Sequence, residues 1–187
     1  APNRAPKRGP ISGVDPELIE MVEDKFSPEI ADQMVEAAEV AGGGVYTAVG
    51  TYPPEQVSIM VTRLSELTGV PVRNLVHAFG RHLLERFAQS HPGHFERHPE
   101  VFDFLSSIDS DIHVQVKKLY ENATLPRFSV LSRDAQTLRL RYQSPRRLEI
   151  LAAGLIEQLG VYTGQLLTVE CLPDDEGCEF VIRKQVG

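Results

Sequence analysis

Tyr142, Ser144 and Arg146 stand two residues apart in RYQSPRR, residues 141–147. In an extended chain alternate residues point to one face, so a phenol, a hydroxyl and a guanidinium converge on one small region. Ser144 and Pro145 suit the N-cap and first position of a helix, whose free N–H groups favour an anion. Arginine's planar fork matches a carboxylate bidentately, which the point charge of a lysine does not. The stretch therefore suits the carboxylates of a diacid. Plainer readings stay open: Tyr142 closing a sheet core, Ser144 capping a helix with Arg146 and Arg147 on the surface, or a Ser-Pro-Arg-Arg phosphorylation site.

His113 is the second residue that could do chemistry. Phe102, Leu105, Ile108, Ile112, Val116 and Leu119 recur around it at three- and four-residue steps, which sets it beside a buried helical stripe. A histidine there is either a packed boundary side chain or a ligand. One neutral imidazole on a rigid helix is enough for a haem iron and leaves the opposite face open to a gas. Zinc asks for about four ligands. Its best local candidates, His91, His94 and His98 in HPGHFERH, straddle Pro92 and Pro99 and read as a solvated loop between helices. Cys171 and Cys178 are too few for a disulfide framework or a paired-cysteine metal motif. Flanking the PDDEG turn, they read as ordinary strand cysteines, with a redox-dependent disulfide as the alternative.

The elements that must position these residues fall into two sets. Pro16, Pro28 and the PEQVSIMV segment each open an amphipathic stretch, the second ending at the glycine triplet 42–44 and the third at Gly69. The segment GGGVYTAVGTYPP between them is turn-rich, and VRNLVHAFGRHLLERFAQS forms a longer helix ending near His91-Pro92. After Leu125-Pro126 the period changes to two. FSVLSRD with AQTLRLRYQS, and LLTVECL with CEFVIRK, give two hairpins separated by one helix, PRRLEILAAGLIEQLG. The fold class is α+β, with residues 1–13 a flexible tail and 14–187 a single domain. Its helical N-terminal lobe covers about 14–68, and its C-terminal lobe, with an antiparallel sheet and helices, about 69–187.

Bulk properties exclude several classes. A formal charge of -7 over 187 residues argues against a nucleic-acid partner, which calls for concentrated positive surface. No run of about 18 apolar residues marks a membrane span, and the expected location is cytoplasmic.

The segment DIHVQVKKLYENATLPRF, followed by strands and YQSPR, resembles the haem nitric oxide/oxygen binding (H-NOX) family, related to the haem domain of soluble guanylate cyclase. The resemblance spans roughly residues 14–185 and takes in EMVEDKFSPE, GGGVYTAVGTY, FGRHLLERF and the final hairpin. The family's proximal histidine matches His113, its Tyr-x-Ser-x-Arg motif matches Tyr142, Ser144 and Arg146, and its haem-bending proline matches Pro126. This implies haem b held non-covalently, its iron bound through His113 and its propionates gripped by the triad. Oxygen-binding relatives carry a distal tyrosine and asparagine where this chain has Leu151 and Leu83. Bound oxygen needs a hydrogen-bond donor and NO does not, so an apolar wall of Leu83, Leu151 and Leu155 favours NO and CO over O2. Some relatives hold zinc in the C-terminal lobe; with Ile150 and Thr168 near the other ligand positions of Cys171 and Cys178, no zinc is expected.

The implied role is a gas sensor and not an enzyme, with NO weakening the iron bond to His113. No effector domain fits in 187 residues, so the implied partner acts in trans, a histidine kinase or a cyclic-di-nucleotide enzyme. The alternative is a haem-free ligand- or protein-binding module of the same fold with His113 merely packed. An enzyme using Tyr142 and Arg146 on a small diacid lacks a nucleophile and base pair.

Overall fold

The computed structural model describes residues 14–41, 54–119 and 125–186. The expected tail, 1–13, and nearly all of the turn-rich GGGVYTAVGTYPP segment, 42–53, lie outside the described residues. The chain separates into two units, one up to Leu75 and one from Val76.

The first unit carries α1 (Val14–Lys25), α2 (Pro28–Ala41) and α3 (Pro54–Thr68), with α2 packed on both neighbours. Proline opens α2 and α3, where a missing N–H costs nothing, and the Ser27 hydroxyl caps α2 by accepting the Ile30 N–H at 3.2 Å. Gly69, with φ 73°, ends α3 in the left-handed conformation that glycine adopts without strain. Leu18, Met21 and Val22 on α1, Met34 and Val35 on α2, and Met60 and Leu64 on α3 are buried at helical spacing.

The second unit begins within α4 (Val72–Ser90) and continues through α5 (Pro92–Arg97), α6 (Val101–Ser106), a π turn (Ile108–Ile112) and α7 (His113–Leu119). Two hairpins follow, β1 (Arg127–Arg133) with β2 (Thr137–Gln143) and β3 (Leu167–Pro173) with β4 (Gly177–Lys184), joined by α8 (Glu149–Thr163). They form one antiparallel sheet in the order β1-β2-β4-β3. Alternate residues of the central strands, Leu138, Leu140 and Tyr142 on β2 and Cys178, Phe180 and Ile182 on β4, point into the core. Phe102 and Leu105 of α6 and Ala152, Ile156 and Leu159 of α8 complete it. The architecture is α+β, as the change of period implies.

Two local expectations are corrected. HPGHFERH is not a solvated loop: it forms α5, with His94 and Phe95 buried. The Phe95 ring packs on Phe104 at 4.7 Å and Tyr162 at 4.6 Å, His94 stacks on Phe87 at 5.4 Å, and Pro92 starts the helix instead of breaking it. The second concerns α8, which starts at Glu149 and not at Pro145.

Candidate cofactor site

Between α6 and α7 the backbone widens into the π turn, and the His113 N–H reaches back to the Ile108 carbonyl. The turn brings Asp109 alongside the histidine, and Nδ1 lies 3.0 Å from Asp109 Oδ1. Both carboxylate oxygens also accept the Phe128 N–H, each at 3.1 Å. An ionised carboxylate only accepts, so Nδ1 donates and Nε2 keeps its lone pair, without a partner among the described residues. The side chain is 18% exposed. Burial pulls its pKa below the ordinary value, with Asp109 opposing, so the neutral ring is favoured.

A cavity of about 680 Å³ opens against this ring, lined by Asp109, His113, Val114, Leu125, Pro126 and Arg127 among others. A second, of about 720 Å³, is lined by Gln143, Ser144, Pro145 and Arg147 and by the acidic Asp175 and Glu176, and shares Leu125 and Arg127 with the first. Both volumes fall in the range of roughly 300–1,000 Å³ usual for ligand sites. The structure thus joins the His113 and Pro126 neighbourhood to that of Ser144 through one short stretch, Leu125–Arg127.

The proposed triad divides. Tyr142 is 1% exposed, its ring edge-on to Phe128 at 5.2 Å and Phe180 at 5.7 Å. Its phenol meets the Ser144 side chain and the Leu148 backbone, and burial pushes its pKa up. Ser144 is buried and accepts the Arg146 N–H at 3.2 Å, a turn contact in place of the expected helix cap. Arg146 is exposed and lines neither cavity. The helix start is displaced by its neighbour. Arg147 takes φ 52°, and its guanidinium bonds the Glu149 carboxylate at 2.6 Å and the Asp175 and Gly177 carbonyls at 3.1 and 3.3 Å. Holding a distant hairpin turn, Arg147 keeps residues 145–148 out of the helix.

Two residues that sequence reasoning passed over belong to this region. Asp109 carries a readable signal, a carboxylate four residues before a histidine on one helical face. Arg127 lines both cavities, and its guanidinium has no hydrogen-bond or ion-pair partner among the described residues. Its position next to Pro126 offers no comparable signal.

Leu83 lies on α4 and Leu151 and Leu155 on α8, all half-buried and outside both cavity walls. The two helices approach backbone to backbone: a Cβ on Gly80 would lie 2.1 Å from the Leu151 carbonyl oxygen, and one on Gly154 2.2 Å from that of His77. Polar bonds flank the crossing, His77 to Glu157 at 2.6 Å and Arg81 to Gln158 at 2.9 Å. Cys171 is exposed and Cys178 buried, both thiols are free, and their side chains touch.

A neutral imidazole with an available nitrogen, a hydroxyl and an uncommitted cation around linked cavities fit an iron porphyrin, which asks for an axial base and partners for two acid groups. The class this defines is a cofactor-holding α+β domain. The Haem-NO-binding family profile matches residues 14–171. Among solved structures, the H-NOX of Shewanella woodyi in the Fe(II)CO state is 36% identical over 92% of this chain and 93% of that one, with a TM-score of 0.76. The Fe(II) unliganded H-NOX of K. algicida is 28% identical over 92% and 95%, with a TM-score of 0.81. The S. oneidensis H-NOX in the Fe(II)NO state shares the fold at 23% identity, covering 92% and 98%, with a TM-score of 0.80. Comparison with curated proteins returns no match. The chain belongs to the Haem-NO-binding family, and it is a haem-binding protein with the fold of gas sensors.

Proposed function

We propose that this chain senses NO at ferrous haem b, also binds CO, excludes O2 and passes its signal to a partner protein in trans. His113 Nε2 would hold the iron, and Tyr142, Ser144 and Arg146, joined by Arg127, would receive the propionates. Haem supplies the ferrous centre to which the gas binds. Leu83, Leu151 and Leu155 offer no hydrogen-bond donor, which penalises oxygen and leaves NO and CO unaffected. Release of His113 would free α7, with its Asp109 link to β1, from that tether. A histidine kinase or a cyclic-di-nucleotide enzyme is the class of partner that would read the change.

The observation that carries this reading is the His113 ring with its Nε2 unpartnered on the wall of one cavity, joined through Leu125 and Arg127 to the cavity of Ser144. Absorption spectra of the ferrous, NO-treated and air-exposed protein test it. The expected result is a Soret band that moves with NO and CO but not on brief exposure to air. His113→Ala should lose haem unless imidazole is added; retention without imidazole would reject the assignment.

A further inference from the structure

We infer that Asp109 is the positioning residue of His113: it selects the Nδ1–H tautomer, presents Nε2 to the cavity and links the ring to β1 through the Phe128 N–H. The functional meaning rests on the proposed iron ligation by His113. The geometry does not.

Left to itself an imidazole prefers its proton on Nε2, the wrong nitrogen for a ligand that must offer Nε2. A carboxylate at Nδ1 reverses the preference, and here it sits at 3.0 Å. Its own orientation is fixed because both oxygens accept the Phe128 N–H at 3.1 Å. The Phe128 ring then backs the imidazole, with centroids 6.0 Å apart and planes tilted by 50°. The ring is therefore held at two points, both traceable to β1. Asp111, in the same π turn, is committed elsewhere, to Arg97 at 3.0 Å and His98 at 3.2 Å. The two carboxylates differ in partner and not in charge, which provides an internal control.

A carboxylate that accepts from Nδ1 also raises the basicity of Nε2, so it strengthens the bond that NO must open. Asp109 would thus set how readily His113 is released. It would also carry the release to Phe128, whose chain neighbours Arg127 and Pro126 line the cavity.

Histidine tautomers of the full chain, labelled with ¹⁵N and free of haem, are read by long-range proton–nitrogen NMR. The expected spectrum shows His113 protonated at Nδ1 in the parent and in Asp111→Asn, and at Nε2 in Asp109→Ala. Nε2 protonation in the parent would overturn the inference, and this measurement requires no variant to fold. In the haem-loaded protein, Asp109→Ala should lower the Fe(II)–His stretching frequency and raise the five-coordinate fraction of the NO form. Haem retention should weaken about 10–100-fold, the scale for a lost outer partner of a metal ligand. Asp109→Glu should recover part of the stretching shift, and Asp111→Asn should show none. An unchanged frequency in Asp109→Ala would sink the inference. A parent that shows the Nδ1–H tautomer yet takes up no haem would support the Asp109 placement while rejecting the sensor reading.

Discussion

Arg127 is exposed, lines both cavities beside Leu125 and has no hydrogen-bond or ion-pair partner among the described residues, so its guanidinium is available to an acid group bound there. It stands outside the Tyr-x-Ser-x-Arg pattern, yet it lines both cavities and Arg146, equally exposed, lines neither. A hydrogen bond to a charged group contributes about 1.5–3 kcal/mol. Arg127→Ala should therefore speed transfer of haem to an apo-myoglobin scavenger by roughly 10-fold or more, and Arg127→Lys should recover only part, because lysine lacks the fork. Equal transfer rates for Arg127→Ala and the parent would remove Arg127 from the site. The thiols give a second residue-scale expectation. Burial, with Cys171 beside it, pushes the Cys178 thiol far above its ordinary pKa and keeps it from forming the reactive thiolate. Native protein should take up one equivalent of iodoacetamide at exposed Cys171, and Cys178 should react only on unfolding; peptide mass mapping distinguishes the two.

At the level of elements, the α4–α8 crossing depends on two missing side chains. Gly80→Ala or Gly154→Ala would set a methyl 2.1 or 2.2 Å from a backbone oxygen, so the helices must move apart. Each change should lower stability by about 1–3 kcal/mol, read as a drop in the urea midpoint, whereas Gly93→Ala, whose Cβ would meet only the Arg97 side chain at 3.7 Å, should be near neutral. The two hairpin turns share another device. Asp134 Oδ1 accepts the Gln136 and Thr137 N–H groups at 2.8 Å, and Asp174 Oδ1 accepts those of Glu176 and Gly177 at 2.9 Å. These bonds hold both carboxyls below the ordinary 3.8. A carboxyl whose folded pKa is depressed contributes stability above its unfolded pKa and loses it as pH falls through the folded value. Acid unfolding below pH 3.8 should therefore flatten in the Asp134→Asn, Asp174→Asn double variant, measured by circular dichroism. Such turns, like the proline starts of α2 and α3 and the glycine stop at Gly69, are local, and this is why most helices and both hairpins were legible in the sequence. The start of α8 was not, because it is decided by Arg147 bonding carbonyls 28 and 30 residues away. The place of His113 beside the buried stripe was legible from spacing, whereas the turn at Ser144 was not. The reach of Asp109 depends on the widened π turn, and that of Arg127 on how β1 enters the sheet, neither of which leaves a periodic trace.

At the scale of the whole molecule, the formal charge of -7 directs the protein away from polyanions, and no described helix is long and apolar enough to cross a membrane. The proposed discrimination between diatomic gases would arise from what surrounds a bound gas. Oxygen draws negative charge when it binds and depends on a donor for stability, whereas NO bonds strongly without one. Leu83, Leu151 and Leu155 lack any donor, and the proposed selectivity follows from that lack. Adding one donor should shift the balance by the same 1.5–3 kcal/mol, roughly 10- to 150-fold in oxygen affinity. Stopped-flow mixing of the ferrous protein with air-saturated buffer should give slow oxidation alone in the parent and in Leu151→Phe. Leu151→Tyr should instead show a reversible oxygen-dependent band, with NO affinity little altered. If Leu151→Phe gained oxygen binding as strongly as Leu151→Tyr, shape and not hydrogen bonding would control the gas, and the three leucines would lose their proposed part in selectivity.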